Sequence, residues 1–213
     1  MAEEIFVSPE KRGRIAVFLS GRGSNFRAIH EAVMAGRINA SISLVFSNVE
    51  SAPGLQTARE YGLETLYLNP KLFAGREEYD KKAIREVRKR DVDLVCLAGY
   101  MRILSPYFCR EFKNRCMNIH PALLPSFPGL HVQKKAIDWG VCYSGATVHF
   151  VAEEVDMGPI ILQAVVPVLQ DDNEETLAAR ILVEEHKIYP QAVQLFFEGR
   201  IEVRGRRVFI GEA

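Results

Sequence analysis

Asn118 and His120 stand two residues apart in Cys116-Met117-Asn118-Ile119-His120-Pro121-Ala122-Leu123-Leu124-Pro125, an apolar run where an amide and an imidazole invite a chemical explanation. At a strand's period of two, both side chains leave the same face. Pro121 cannot donate to a sheet ladder, so the strand ends there and the pair lies at its carboxyl end, where open parallel sheets bind ligands. An asparagine amide is a neutral donor to a developing oxyanion, and an imidazole holds or moves a proton near neutral pH. Asp156, in the acidic turn Glu153-Glu154-Val155-Asp156-Met157-Gly158-Pro159, offers a carboxylate that can orient that imidazole. Asn-x-His alone is common in loops and an aspartate in an acidic turn is commonly solvated, so context decides.

A second set of residues lies in Ser20-Gly21-Arg22-Gly23-Ser24-Asn25. Phe26 occupies the place of the third glycine of a dinucleotide fingerprint, which leaves a loop of backbone N–H groups with Ser24 and Asn25 at a helix start. Such a loop suits a single phosphate better than a pyrophosphate, and capping of the helix by Ser24 or Asn25 is compatible with that role. A third segment, Gly99-Tyr100-Met101-Arg102-Ile103-Leu104, follows a buried strand and is fit either to hold a flat heterocycle between apolar walls or to pack a helix start. His149 lies in an apolar strand, facing the site or satisfied in the core; His131 follows the proline-rich segment, and His30 and His186 fall on predicted helices. No His or Cys spacing matches a zinc site, so no metal is expected.

The elements that must position these groups alternate. Residues 14–19, 42–47, 65–68, 93–98 and the run ending at His120 read as strands, separated by helices over 26–33, 54–61, 77–90 and 105–112. Right-handed crossovers then give a Rossmann-like α/β fold: an open, mostly parallel sheet with helices on both faces. Residues 121–129, with three prolines and a glycine, form a fixed irregular segment. Strands over 146–151 and 160–168 are close enough to pair antiparallel, a long helix runs from about Thr176 to Gly199 with a kink at Pro190, and residues 201–210 make a hairpin around Gly205. The result is one domain over 1–213, with a phosphate-binding half at about 14–112 and a catalytic half at about 113–210.

The 213 residues are 48% hydrophobic and 25% charged, the balance of an ordinary globular chain. Lys plus Arg equals Asp plus Glu at 27 each, so no global field draws nucleic acid or an anionic membrane, and phosphate binding must be local. Cys96, Cys109, Cys116 and Cys142 show no disulfide-framework spacing and read as buried thiols. The start of the chain lacks a signal-peptide pattern and no apolar run reaches membrane-spanning length, which points to the cytoplasm.

Together these segments resemble the glycinamide ribonucleotide formyltransferases of purine synthesis from about Arg14 to Ile210, through the glycine loop, residues 97–104 and 118–125, Pro128-Gly129 and Asp156-Met157-Gly158-Pro159. The resemblance implies formyl transfer from 10-formyltetrahydrofolate, a co-substrate, to the amino group of glycinamide ribonucleotide. It implies that Gly23, Ser24 and Asn25 hold the ribonucleotide phosphate and Glu185 its ribose, with Pro121 beside the substrate. By the same resemblance Arg76, Met101, Arg102, Ile103 and Leu104, with Ala152 and Val155 of the acidic loop, would line the folate pocket, Asn118 and His120 would stabilise the oxyanion, and Asp156 would orient His120 and relay a proton through water. Arg22, Ala122 and Met157 depart from the family pattern without removing a catalytic group. Small-molecule partners are expected, with a homodimer left open. The alternatives are a formyltetrahydrofolate hydrolase, for which an extra N-terminal domain is expected, a methionyl-tRNA formyltransferase, for which a C-terminal domain and a basic face are expected, and a non-catalytic nucleotide sensor.

Overall fold

The computed structural model describes residues 12–212 and the backbone of Glu3–Glu4. Strands β1 (Glu3–Glu4), β2 (Gly13–Leu19), β3 (Ala40–Ser47), β4 (Thr65–Tyr67), β5 (Leu94–Leu97), β6 (Cys116–His120), β7 (Tyr143–Phe150), β8 (Ile160–Pro167), β9 (Ile201–Arg204) and β10 (Arg207–Ile210) form one sheet. Its order among the described residues is β1-β9-β10-β8-β7-β6-β5-β2-β3-β4. The β6-β5-β2-β3-β4 part is parallel throughout. β7 then runs antiparallel to both β6 and β8, as the short connection before β8 predicts. Helices α1 (Ser24–Met34), α2 (Pro53–Glu60), α3 (Arg76–Arg88), α4 (Pro106–Glu111), α5 (Val132–Asp138) and α6 (Glu174–Phe197) complete the chain.

Strand alternation sorts the apolar side chains into two cores. Ile15, Val17 and Leu19 of β2 join Leu94 and Cys96 of β5 and Met117 and Ile119 of β6 on the face covered by α1, α2 and α6. Ala16, Phe18, Val95, Leu97 and Cys116 face α3 and α4 on the other side. Both faces of the central strands are therefore buried, which is why these strands read as continuous apolar runs. Phe18 stacks on Phe46 at 4.3 Å in the second core. The alternation also places the candidate pair: with Met117 and Ile119 turned toward α6, Asn118 and His120 leave the opposite face.

β2 leads to β3 on one side, whereas β5 returns to its other side, so the strand order reverses between β2 and β5. A crevice at the carboxyl ends of such a pair is where doubly wound sheets place ligands. The loops that follow these two strands are tied together there. Ser20 N–H donates to the Gly99 carbonyl at 3.0 Å, and Met101 N–H donates to Ser20 Oγ at 2.7 Å.

α6 starts from a capping box, Asn173 accepting from the Thr176 N–H while Thr176 Oγ1 accepts from the Asn173 N–H. It continues as one helix through Pro190, and no described helix is long and apolar enough to cross a membrane. One expectation is corrected, and one element is added. Cys142 is exposed, in the turn before β7, whereas Cys96, Cys109 and Cys116 are buried. The 121–131 segment leads into a helix, α5, that the pattern did not announce.

Candidate active site

β6 delivers Asn118 and His120 to the sheet edge, and β7 lays His149 directly opposite Asn118, with Thr147 opposite His120. Asn118 Nδ2 lies 3.3 Å from His149 Nε2. The other ring nitrogen of His149, Nδ1, donates to the Phe150 carbonyl at 2.9 Å, which leaves Nε2 as the acceptor for the Asn118 amide. Burial pushes the His149 imidazole down, against the raising effects of that backbone hydrogen bond and of Asp156, and so favours this neutral form. His149 thus turns one N–H of Asn118 inward, and the other has no partner among the described residues. Strand alternation held the signal for it: Val148 and Phe150 face the core, so His149 must face the site.

Asp156 bridges the two imidazoles. Its Oδ2 is 3.4 Å from His120 Nδ1 and its Oδ1 is 3.7 Å from His149 Nε2. The carboxylate is held by the Gly129 N–H, which donates to Oδ2 at 2.9 Å. His120 Nε2 donates to the Phe127 carbonyl at 2.9 Å, so both of its nitrogens are engaged. With Nε2–H committed to that carbonyl, Nδ1 meets Asp156 as a donor only when the ring is an imidazolium.

The 121–125 segment is fastened from below. Thr147 Oγ1 donates to the Ala122 carbonyl at 2.7 Å and accepts from the Leu124 N–H at 3.1 Å. Gln163 Nε2 donates to the Leu124 carbonyl at 2.9 Å. Ala122, one of the departures from the family pattern, is fully buried at this anchor, and Pro121 beside it is half-buried.

The turn that carries Asp156 closes on the end of β7 because position 158 has no side chain. A Cβ on Gly158 would meet the Phe150 carbonyl oxygen at 1.7 Å. Gly158→Ala is therefore expected to displace the turn, destabilise the protein by about 1–3 kcal/mol and lower turnover more than it lowers either ligand affinity. Thermal melts and steady-state kinetics check this; wild-type kinetics in the variant would mean that the turn does not set the carboxylate.

At the switch point, α1 begins at Ser24 with Gly23 as N-cap, in the left-handed region (φ 72°), and no side chain caps the helix. Asn25 is turned away from a capping role: its Nδ2 donates to Glu185 Oε2 at 2.7 Å, both residues being buried. Burial pushes the Glu185 carboxyl up, opposed by this hydrogen bond. Asn25 Oδ1 is buried without a hydrogen-bond partner. The N–H groups at the start of α1, its positive dipole end, thus carry no side-chain cap, and Glu185 is tied to this turn through Asn25.

Among the expected folate-side residues, Met101 and Ile103 are exposed, whereas Leu104 turns into the core under α3 and α4. Arg102 lies over the Tyr79 ring at 4.5 Å. Arg76 is exposed at the start of α3, Val155 is exposed and Ala152 half-buried in the acidic turn, and the Ala152 carbonyl accepts from the Cys109 thiol at 3.3 Å.

An uncapped helix start, a neighbouring loop with exposed apolar side chains and an amide–imidazole–carboxylate set thus lie together at one sheet edge. The chain matches the family described as formyl transferase over residues 13–193 and belongs to that family. It is 44% identical over 189 residues to the phosphoribosylglycinamide formyltransferase of Escherichia coli, covering 89% of each chain. It is also 48% identical over 192 residues to the trifunctional purine biosynthetic protein adenosine-3 of Drosophila melanogaster; that match takes in 89% of this chain and 14% of the longer protein. The crystal structure of glycinamide ribonucleotide transformylase 1 from Symbiobacterium toebii superposes with a TM-score of 0.92 at 48% identity, covering 93% of this chain and 94% of that one.

Proposed function

We propose that this chain transfers the formyl group of 10-formyltetrahydrofolate to the amino group of glycinamide ribonucleotide, giving formylglycinamide ribonucleotide and tetrahydrofolate. The observation that carries the reading is the convergence of the uncapped Gly23–Asn25 helix start and the Asn118, His120, Asp156 set at the carboxyl edge of one parallel sheet. Membership of the formyl transferase family supports it.

In this reading the ribonucleotide phosphate sits on the N–H groups at the start of α1, and Glu185 accepts hydrogen bonds from the ribose hydroxyls. The folate lies against Met101, Arg102 and Ile103, with Arg76, Ala152 and Val155 around it; Leu104 backs that wall from the core. The amine attacks the formyl carbon, forming a C–N bond and a tetrahedral oxyanion. The free N–H of the Asn118 amide stabilises that oxyanion. His120, gripped by Phe127 and Asp156, supplies positive charge when protonated. Asp156 takes the proton released by the amine and returns it to the folate nitrogen as the old C–N bond breaks, which balances the exchange.

Gly23→Val tests the phosphate assignment. A β-branched residue is strained at φ 72°, and its Cβ would lie 3.2 Å from Gly54 Cα and from Leu19 Cδ2. The helix start should shift and ribonucleotide affinity should fall sharply, whereas folate affinity changes little. Calorimetric titration of each ligand reads this out; equal loss of both, or loss of folate alone, overturns the assignment.

The function itself is tested by following tetrahydrofolate release with and without glycinamide ribonucleotide. Release only in its presence is expected. Equal release without it would indicate hydrolysis, and ligand binding without turnover would indicate a sensor.

A further inference from the structure

Asp80 is a carboxylate where an apolar side chain would be cheaper. It lies on the buried face of α3 between Tyr79 and Ala83, is 2% exposed, and packs where Ile84, Val87, Phe108 and Phe112 form the second core. Removing a carboxylate from water costs free energy unless strong partners replace the lost hydration. Burial accordingly pushes the Asp80 carboxyl up, with the hydrogen bonds from Ser105 and the charges of Arg102 and Arg76 opposing the shift.

The hydrogen-bond partner of Asp80 is Ser105. Asp80 Oδ2 accepts from the Ser105 N–H at 2.5 Å. Ser105 is itself buried and caps α4, accepting from the Phe108 N–H at 3.3 Å. The preceding residue on α3 grips the same segment, since the Tyr79 ring lies under Arg102 and its hydroxyl accepts from Tyr100 at 3.4 Å. At the other end, Met101 N–H is anchored on Ser20 Oγ at 2.7 Å. The stretch 101–105 is therefore pinned at its first and last residues by polar groups from the loop after β2 and from α3. Between the pins, Met101 and Ile103 are 68% and 57% exposed. A short loop fixed at both ends presents its side chains without the ordering cost that a mobile loop would meet on binding.

We propose that Asp80 is a positioning residue for the folate co-substrate, setting through the Ser105 N–H the place of the Met101–Ile103 wall without touching the ligand. The proposal rests on the formyl-transfer reading of the site. It requires the reach of the side chain, rather than its charge, to matter for folate and not for the ribonucleotide.

Two variants separate reach from charge. Asp80→Asn keeps an acceptor at the same distance and loses the charge, whereas Asp80→Glu keeps the charge and displaces the acceptor by one methylene. Steady-state kinetics of the whole chain, varying each substrate, should find Asp80→Asn within about threefold of wild type in every constant. Asp80→Glu should raise the folate KM about tenfold with kcat and the ribonucleotide KM little changed, as expected for a misplaced binding wall. Asp80→Ser, which shortens the arm, is the second variant should the glutamate not fold, and is expected to shift the same constant. A folate defect in Asp80→Asn with a normal Asp80→Glu overturns the proposal in favour of charge. Parallel changes in both KM values or in kcat, or no change in folded Asp80→Glu or Asp80→Ser, overturn it as well. A wild-type chain that shows no ribonucleotide-dependent turnover instead refutes the formyl-transfer reading, and is seen before any variant is compared.

Discussion

Asp156→Asn should give a folded protein whose turnover number is lower by about 10² to 10⁴, the range of a lost acid–base group. The substitution is well matched to the site. Asp156 sits in the left-handed region at φ 57°, which asparagine also tolerates. The amide oxygen can still accept the Gly129 N–H now bound at 2.9 Å, so the turn should keep its place. What disappears is the charge 3.4 Å from His120 Nδ1 and the capacity to take a proton from the attacking amine. Both KM values should change modestly, because the turn that also carries Ala152 and Val155 keeps its anchor on the Gly129 N–H. Near-normal kcat in a correctly folded variant would remove Asp156 from the chemical step.

Asn118→Ala carries the second large effect, about 10² to 10³ in turnover, the usual loss for one oxyanion donor. Alanine preserves the strand and the register with His149, so both ligands should bind nearly as before. The variant also leaves His149 Nε2 without the donor now 3.3 Å away, at a ring held by the Phe150 carbonyl. Titration of each ligand beside single-turnover kinetics gives the separation. If folate binding is lost while the rate at saturation survives, Asn118 is a binding residue and the oxyanion is held elsewhere.

The alternating fold was legible because its signals are local. Buried strands announce themselves as apolar runs, and Pro121 and the glycine loop mark where two of them end. Asn118 and His120 could be placed on one face from period two alone. α5 escaped because only Val132 and Ala136 are buried in its seven residues, too few to set a helical period. His149 stayed ambiguous because its strand is buried on both faces, so alternation sets it beside Thr147 and away from Val148 and Phe150, but only pairing with β6 shows what it touches. Leu104 was grouped with Met101 and Ile103, yet the chain turns into α4 there and buries it. Asp80 was hidden differently: inside a helix crowded with charge, nothing local distinguishes the carboxylate that reaches a backbone amide 25 positions away.

The grip on His120 and Asp156 also works in reverse. Phe127 and His131 stand in the left-handed region at φ 53° and 56°, conformations that bulky residues adopt only when their surroundings enforce them. Part of that enforcement comes from the site, because His120 holds the Phe127 carbonyl and Asp156 holds the Gly129 N–H. The side chains of His120 and Asp156 are thus latches on residues 127–131. Cutting either latch should let this stretch open locally while the sheet beneath stays closed, so a protease would nick it there and its amides would exchange with solvent sooner than their neighbours. Chemistry and resistance to digestion are tied at this edge of the molecule.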